Sequence, residues 1–268
     1  MKPCISQATT LPYPFADDVA NYSAAGCSAM EVWLTKLETH LESNGAEATL
    51  ALLAEKGMEL AAAAYQGGLL LSQGDARSAS FDHFKRRLEL CQQFDIRTLL
   101  VVADFAQRMD GTSLGRAVVS LKEAAKWAGG FDVTLALEFR GADTFCTCLD
   151  TALALVGECG EANLGVCLDA FHYYKGPSKP EDLAKLTKAN LAHVQLCDVA
   201  GVPRELMGDS DRVFPGEGDF DLAPILARLR EIEYTGWVSL ELMNPVLWKA
   251  KPTQVIELGT TAMHRLLR

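Results

Sequence analysis

Residues 133–139 read VTLALEF, a strand-length apolar run that follows the helix stop Gly129-Gly130. Successive side chains of a strand point to opposite faces, so Val133, Leu135 and Leu137 form one face and Thr134, Ala136 and Glu138 the other. The uniformly apolar set belongs against helices. The second set then faces inward and ends in a carboxylate at the C-terminal end of the strand. LGVCLD (164–169) repeats the pattern, with Leu164, Val166 and Leu168 outward and Gly165, Cys167 and Asp169 inward. In LAHVQLC (191–197), His193 and Gln195 point inward. In WVSLEL (237–242), the inward set is Trp237, Ser239 and Glu241.

Outward from these four, the same grammar covers the chain. Further strand-like runs lie at Cys4 to Thr9, Ala29 to Leu34, Leu60 to Tyr65 and Thr98 to Asp104. Helix-length segments separate them. Thr112 and Ser113 precede an amphipathic run of Leu114, Val118, Leu121 and Ala125 that stops at Gly129. Pro180 opens another helix, and Asp219 or Asp221 caps the segment containing Ile225 and Leu229. Eight strand–helix steps in 268 residues give about 33 residues per step, the size of one βα unit. Strict alternation implies a parallel sheet, and eight unbroken steps predict an α/β fold of one (β/α)8 TIM barrel, a single domain over 1–268. A doubly wound open sheet is the alternative.

Lys and Arg number 25 against 35 Asp and Glu, a formal net charge of −10, and 49% of residues are hydrophobic. That balance argues for a small-molecule partner rather than nucleic acid or a membrane surface, both of which select a basic face. The N-terminus lacks the apolar core of an export signal, and no run approaches the length of a membrane span. Eight cysteines without a C-x-x-C pair read as free thiols of a reducing cytoplasm.

The phases aim Glu138, Asp169, Gln195 and Glu241 at the same mouth of the barrel, the face where barrel enzymes carry their chemistry. Three converging carboxylates repel unless protonated or neutralised, and one divalent cation is the simplest remedy. All four donors are oxygens, which favours Mg2+ or Mn2+ over Zn2+. A formal sum of +2 and three negative charges leaves the site slightly anionic, suited to a neutral sugar or ketone.

In order and spacing, LALEF (135–139), LDAFH (168–172), AHVQLCD (192–198), DRVFPGEGDFDL (211–222) and SLELMNP (239–245) resemble the xylose-isomerase-like barrel superfamily of sugar isomerases, epimerases and lyases. Within it the motifs are most similar to the 2-keto-myo-inositol isomerase and hydroxypyruvate-isomerase-like branches. The resemblance implies metal ligands Glu138, Asp169, Gln195 and Glu241, and substrate oxygens held by His172 and Arg212. Most relatives carry His where this chain has Gln195. Ketohexose 3-epimerases carry a second Glu at the position of Thr144, which counts against that type.

The expected activity is therefore metal-dependent isomerisation or epimerisation of a small sugar, keto-cyclitol or keto-polyol through a metal-stabilised enediolate. Glu138 and Glu241 exchange the proton, and Arg212 acts partly as a lid. The alternatives are a keto-cyclitol dehydratase of the inosose or 3-dehydroshikimate type and a non-catalytic sugar-binding barrel. A DNA-repair endonuclease of the same fold needs histidines at the ends of strands two and three, where Glu31, Tyr65 and Gln66 stand instead. Glu31, Trp33, Tyr65 and Gln66 are either pocket walls or barrel-rim packing, His193 either a barrel-core histidine or a partner behind the metal ligands, and Asp198 either a loop anchor or a metal contact. Self-association is compatible with the sequence.

Overall fold

The computed structural model describes residues 1–105 and 108–268. In chain order it contains β1 (Lys2–Ser6), α1 (Phe15–Ala24), β2 (Ala29–Trp33), α2 (Leu34–Lys56), β3 (Glu59–Gln66), α3 (Gly74–Gln93), β4 (Thr98–Val102) and α4 (Ser113–Gly129). Then follow β5 (Thr134–Glu138), α5 (Leu149–Cys159), β6 (Leu164–Asp169), α6 (Ala170–Lys175), β7 (Leu191–Leu196), β8 (Asp198–Val199), β9 (Arg212–Val213), α7 (Ala223–Glu231), β10 (Trp237–Leu240) and α8 (Pro252–Leu267). Eight strands close into a barrel in the order β1-β10-β7-β6-β5-β4-β3-β2, and β8 and β9 form a separate two-stranded sheet. The expected (β/α)8 barrel is thus the observed fold. Among the described residues no helix is long and apolar enough to cross a membrane.

The chain divides into two compact units. One comprises Met1–Ala63, Gln195–Leu222 and Thr235–Arg268. In it β1 pairs in parallel with β10, Cys4 opposite Ser239 and Ile5 opposite Leu240, and with β2, Ser6 opposite Glu31. Helix α8 buries Val255, Ile256 and Met263 on this sheet. Helix α2 is interrupted at Gly45, whose φ of 70° a side chain would strain.

The other unit comprises Ala64–Val194 and Ala223–Tyr234. Here β5 lies between β4 and β6, with Glu138 opposite Val102 on one side and Cys167 on the other. Leu135, Ala136 and Leu137 are fully buried. Each such Leu or Val side chain adds about 1.5–3 kcal/mol of burial. Helix α4 packs through Ala117, Leu121, Ala124, Ala125 and Ala128, while Leu114 is 46% exposed. The buried stripe is therefore alanine-rich and begins one turn later than the apolar pattern suggests.

Other boundaries move for identifiable reasons. The first strand stops at Ser6, where the Ser6 Oγ accepts from Ala8 N at 3.3 Å and starts a 3-10 turn over Gln7–Thr10. The last strand leaves the ladder after Leu240, because Leu242 N donates to Thr9 Oγ1 at 3.1 Å. Pro180 opens a 3-10 turn, Pro180–Lys185, rather than an α-helix. The cap of α4 is Asp110, whose carboxylate accepts from Ser113 N at 2.8 Å and Thr112 N at 2.9 Å. Bonds from the Ser113 and Thr112 side chains and amides hold that carboxyl well below the usual carboxylate range. Asp219 accepts from Gly201 N at 2.7 Å and so ties a loop. All eight cysteines are free.

Candidate active site

Glu138 ends β5 and Asp169 ends β6, so the period-two alternation that buries the apolar face delivers both carboxylates to strand termini. Asp169 also caps α6, its Oδ1 accepting from Phe171 N at 2.7 Å. One helical turn on, at i+3, stands His172. All three residues are buried, and each offers a donor atom within 4.8 Å of the others. His172 Nε2 lies 3.3 Å from Glu138 Oε1 and 3.8 Å from Asp169 Oδ2.

The imidazole tautomer follows from its other nitrogen. Gly141 N–H points at His172 Nδ1, 3.4 Å away. A neutral imidazole has one N–H, so an accepting Nδ1 places the proton on Nε2. His172 therefore faces Glu138 as a hydrogen-bond donor, while Glu138 and Asp169 supply negative oxygens. The two buried carboxylates supply the oxygen donors that suit a hard divalent cation, and the Nε2–H of His172 stands beside them as a hydrogen-bond donor.

In the other unit Glu241 follows β10 and is 5% exposed. Its backbone N donates to Leu196 O at 3.1 Å, and its Oε2 accepts from Arg212 Nη1 at 2.8 Å. Arg212 sits in β9, opposite Val199 of β8, and is 1% exposed. Its Nη2 and Nε both donate to Asp209 Oδ1, at 2.6 and 3.1 Å, and Asn244 Nδ2 donates to its carbonyl oxygen at 2.9 Å. The expected lid residue is thus pinned in a hairpin. Asp209 carried no recognisable signal in the sequence, and Asn244, though it lies in the SLELMNP motif, received no role there, since what both residues do depends on where the hairpin folds back.

Asp198 proves to be a loop anchor. Its Oδ1 accepts from Val199 N and Phe220 N at 2.9 Å each, and its Oδ2 from Gly216 N at 3.0 Å. The turn leaves no room at Gly218, where a Cβ would lie 2.3 Å from Asp198 Oδ1 and 2.5 Å from Val199 O. Gly218→Ala is expected to destabilise the protein by about 1–3 kcal/mol, read as a lower urea midpoint with unchanged slope. An unaltered midpoint would contradict the tight turn.

Gln195 is 1% exposed and donates from Nε2 to Glu31 Oε1 at 3.0 Å. His193 is buried. Of the candidate walls, Trp33 lines a cavity of about 350 Å3 with Tyr13, Lys36 and His40. Tyr65 is 41% exposed and Gln66 is buried. Thr144 donates from Oγ1 to Phe105 O at 2.5 Å. Beyond β4, Asp104 accepts from Gly68 N at 2.5 Å through Oδ2, and its Oδ1 is buried with no hydrogen-bond partner among the described residues. The run Thr98 to Asp104 is continuously apolar up to Ala103 and sets no inward phase, so the carboxylate that ends it receives no role from alternation.

A model of the xylose isomerase-like TIM barrel family matches residues 19–259. The chain belongs to that family. An inosose isomerase of Bacillus velezensis is 27% identical over 268 residues, covering 96% of this chain and 94% of that protein. A 3-dehydroshikimate dehydratase of Pseudomonas aeruginosa is 28% identical over 180 residues, 65% of this chain and 28% of that protein. The crystal structure of the IOLI protein, which holds a zinc atom, superposes with a TM-score of 0.93 at 23% identity, covering 100% of this chain and 98% of that one. Xylose isomerase-like family membership agrees with the order and spacing of the five motifs. The superposition shows a shared fold.

Proposed function

We propose that this protein is a divalent-metal-dependent isomerase of a small uncharged keto-cyclitol or keto-sugar. The observation that carries the reading is the buried cluster of Glu138, Asp169 and His172 at the ends of β5 and β6. Its support is the similarity along almost the whole chain to an enzyme named inosose isomerase. Glu138, Asp169, Gln195 and Glu241 are the proposed ligands of one ion, with Mg2+ or Mn2+ favoured by four oxygen donors. Such an ion supplies Lewis acidity, polarising a carbonyl and stabilising negative charge on its oxygen.

The chain's own groups do the rest. One of Glu138 and Glu241 removes the proton from the hydroxyl-bearing carbon beside the carbonyl, the other delivers a proton to the former carbonyl carbon, and the hydroxyl proton passes to the former carbonyl oxygen, so that carbonyl and hydroxyl exchange places. The Nε2–H of His172 and the guanidinium of Arg212 hold substrate oxygens while charge moves between them. The cytoplasm is the compartment proposed from the charge and the free cysteines. Similarity to a 3-dehydroshikimate dehydratase favours one second reading, elimination of water from a keto-cyclitol, which begins with the same proton removal.

Metal analysis with thermal unfolding tests the proposal. We expect one ion per chain and a melting temperature raised by Mn2+ or Mg2+ in wild type and much less in Glu241→Gln. NMR of the loaded enzyme with 2-keto-myo-inositol should show an isomeric ketone. A conjugated product absorbing in the ultraviolet would select the dehydratase reading, and absence of ion binding at millimolar metal would refute both.

A further inference from the structure

Strand β2 carries a carboxylate that the proposed chemistry does not use. Glu31 is fully buried, opposite Ser6 in the β1–β2 ladder, and its Oε1 accepts from Gln195 Nε2 at 3.0 Å. The two ends of a glutamine amide are chemically unlike: the NH2 only donates and the carbonyl oxygen only accepts. An ionised carboxylate only accepts. Glu31 therefore selects which end of the Gln195 amide it meets, and the other end is the oxygen.

We propose that Glu31 is a positioning residue that locks the Gln195 amide with Nε2 toward β2 and Oε1 turned away from it, as a metal ligand. The inference rests on the reading of Gln195 as a ligand and explains how a glutamine serves there. The last torsion of glutamine has a broad, nearly two-fold profile, so an unrestrained amide samples both orientations. Only one of them offers a lone pair, because the amide nitrogen's pair is delocalised into the carbonyl. A carboxylate fixed by the barrel's β1–β2 register removes the wrong orientation before any ion arrives. It also keeps the donor an oxygen, which favours hard ions over zinc.

Loss of an outer partner of a metal ligand lowers affinity about 10–100-fold. We therefore expect Glu31→Leu to weaken Mn2+ binding by that factor in calorimetry and to alter the visible spectrum of the Co2+-loaded protein. Glu31→Gln, which keeps the size of the side chain but can meet either end of the Gln195 amide, should also weaken Mn2+ binding, by less than Glu31→Leu, a loss that a general packing defect would not give. Binding by Glu31→Leu within about twofold of wild type, with an unchanged Co2+ spectrum, would overturn the inference while leaving the proposed function intact. Failure of wild type to bind any divalent ion would overturn both. Should Glu31→Leu not fold, a crystal structure of the Mn2+-loaded wild type decides. We expect Gln195 Nε2 on Glu31 and Oε1 on the ion; a broken pair, or Glu31 itself on the ion, would overturn the inference.

Discussion

Glu138→Gln is expected to lower kcat on 2-keto-myo-inositol about 10²–10⁴-fold, the range lost when a positioned acid–base group is removed. The substitution keeps the size of the side chain and an oxygen that can still accept from His172 Nε2, now 3.3 Å from Glu138. What it removes is the charge. In chelator the variant should be no less stable than wild type, since it relieves the crowding of Glu138 against Asp169. With metal the order should reverse. An ion at a hundred times its Kd adds about 2.7 kcal/mol to a protein that binds it only when folded, and the variant should forfeit most of that gain. Turnover within about threefold of wild type would remove Glu138 from the acid–base role. A full metal-dependent stabilisation in the variant would remove it from the ligand set.

Why Glu138 and Asp169 were legible before any coordinates, and other site residues were not, is a matter of range. Alternation is local: LGVCLD predicts β6 to the residue because both its faces are set by neighbours two positions apart. The donor role of His172 needs the Gly141 amide, 31 residues away. Asp209 lies only three residues from Arg212, yet it becomes the anchor of a buried guanidinium because β9 folds against β8. Asp104 lies beyond the last ladder residue of β4, where Gly68 rather than a neighbouring strand accounts for its hydrogen bond. Leu114 misled for the opposite reason, since its helical spacing is correct but its turn is the exposed first turn of α4. The sequence thus disclosed what side-chain periodicity governs, and loops that meet at a distance supplied the remainder.

Arg212→Leu should produce the largest loss of stability among these variants, about 3–5 kcal/mol in chelator, the cost of leaving a buried charge without its partner. Two carboxylates lose a cation, but not equally. Asp209 has a side chain 36% exposed and recovers solvation from water, whereas that of Glu241 is 6% exposed and cannot. The penalty therefore falls on Glu241. If so, the companion change Glu241→Leu should return most of the lost stability, because apolar replacement of both partners of a buried pair is often neutral. Denaturant titrations of the two single variants and the double variant form the cycle that reads this coupling. Divalent metal adds a second axis: if Glu241 is a ligand, Mn2+ should stabilise Arg212→Leu by more than it stabilises wild type, by supplying the missing positive charge. Strict additivity of the two substitutions would mean that the 2.8 Å pair contributes nothing. Equal stabilisation of wild type and Arg212→Leu by Mn2+ would separate Glu241 from the metal.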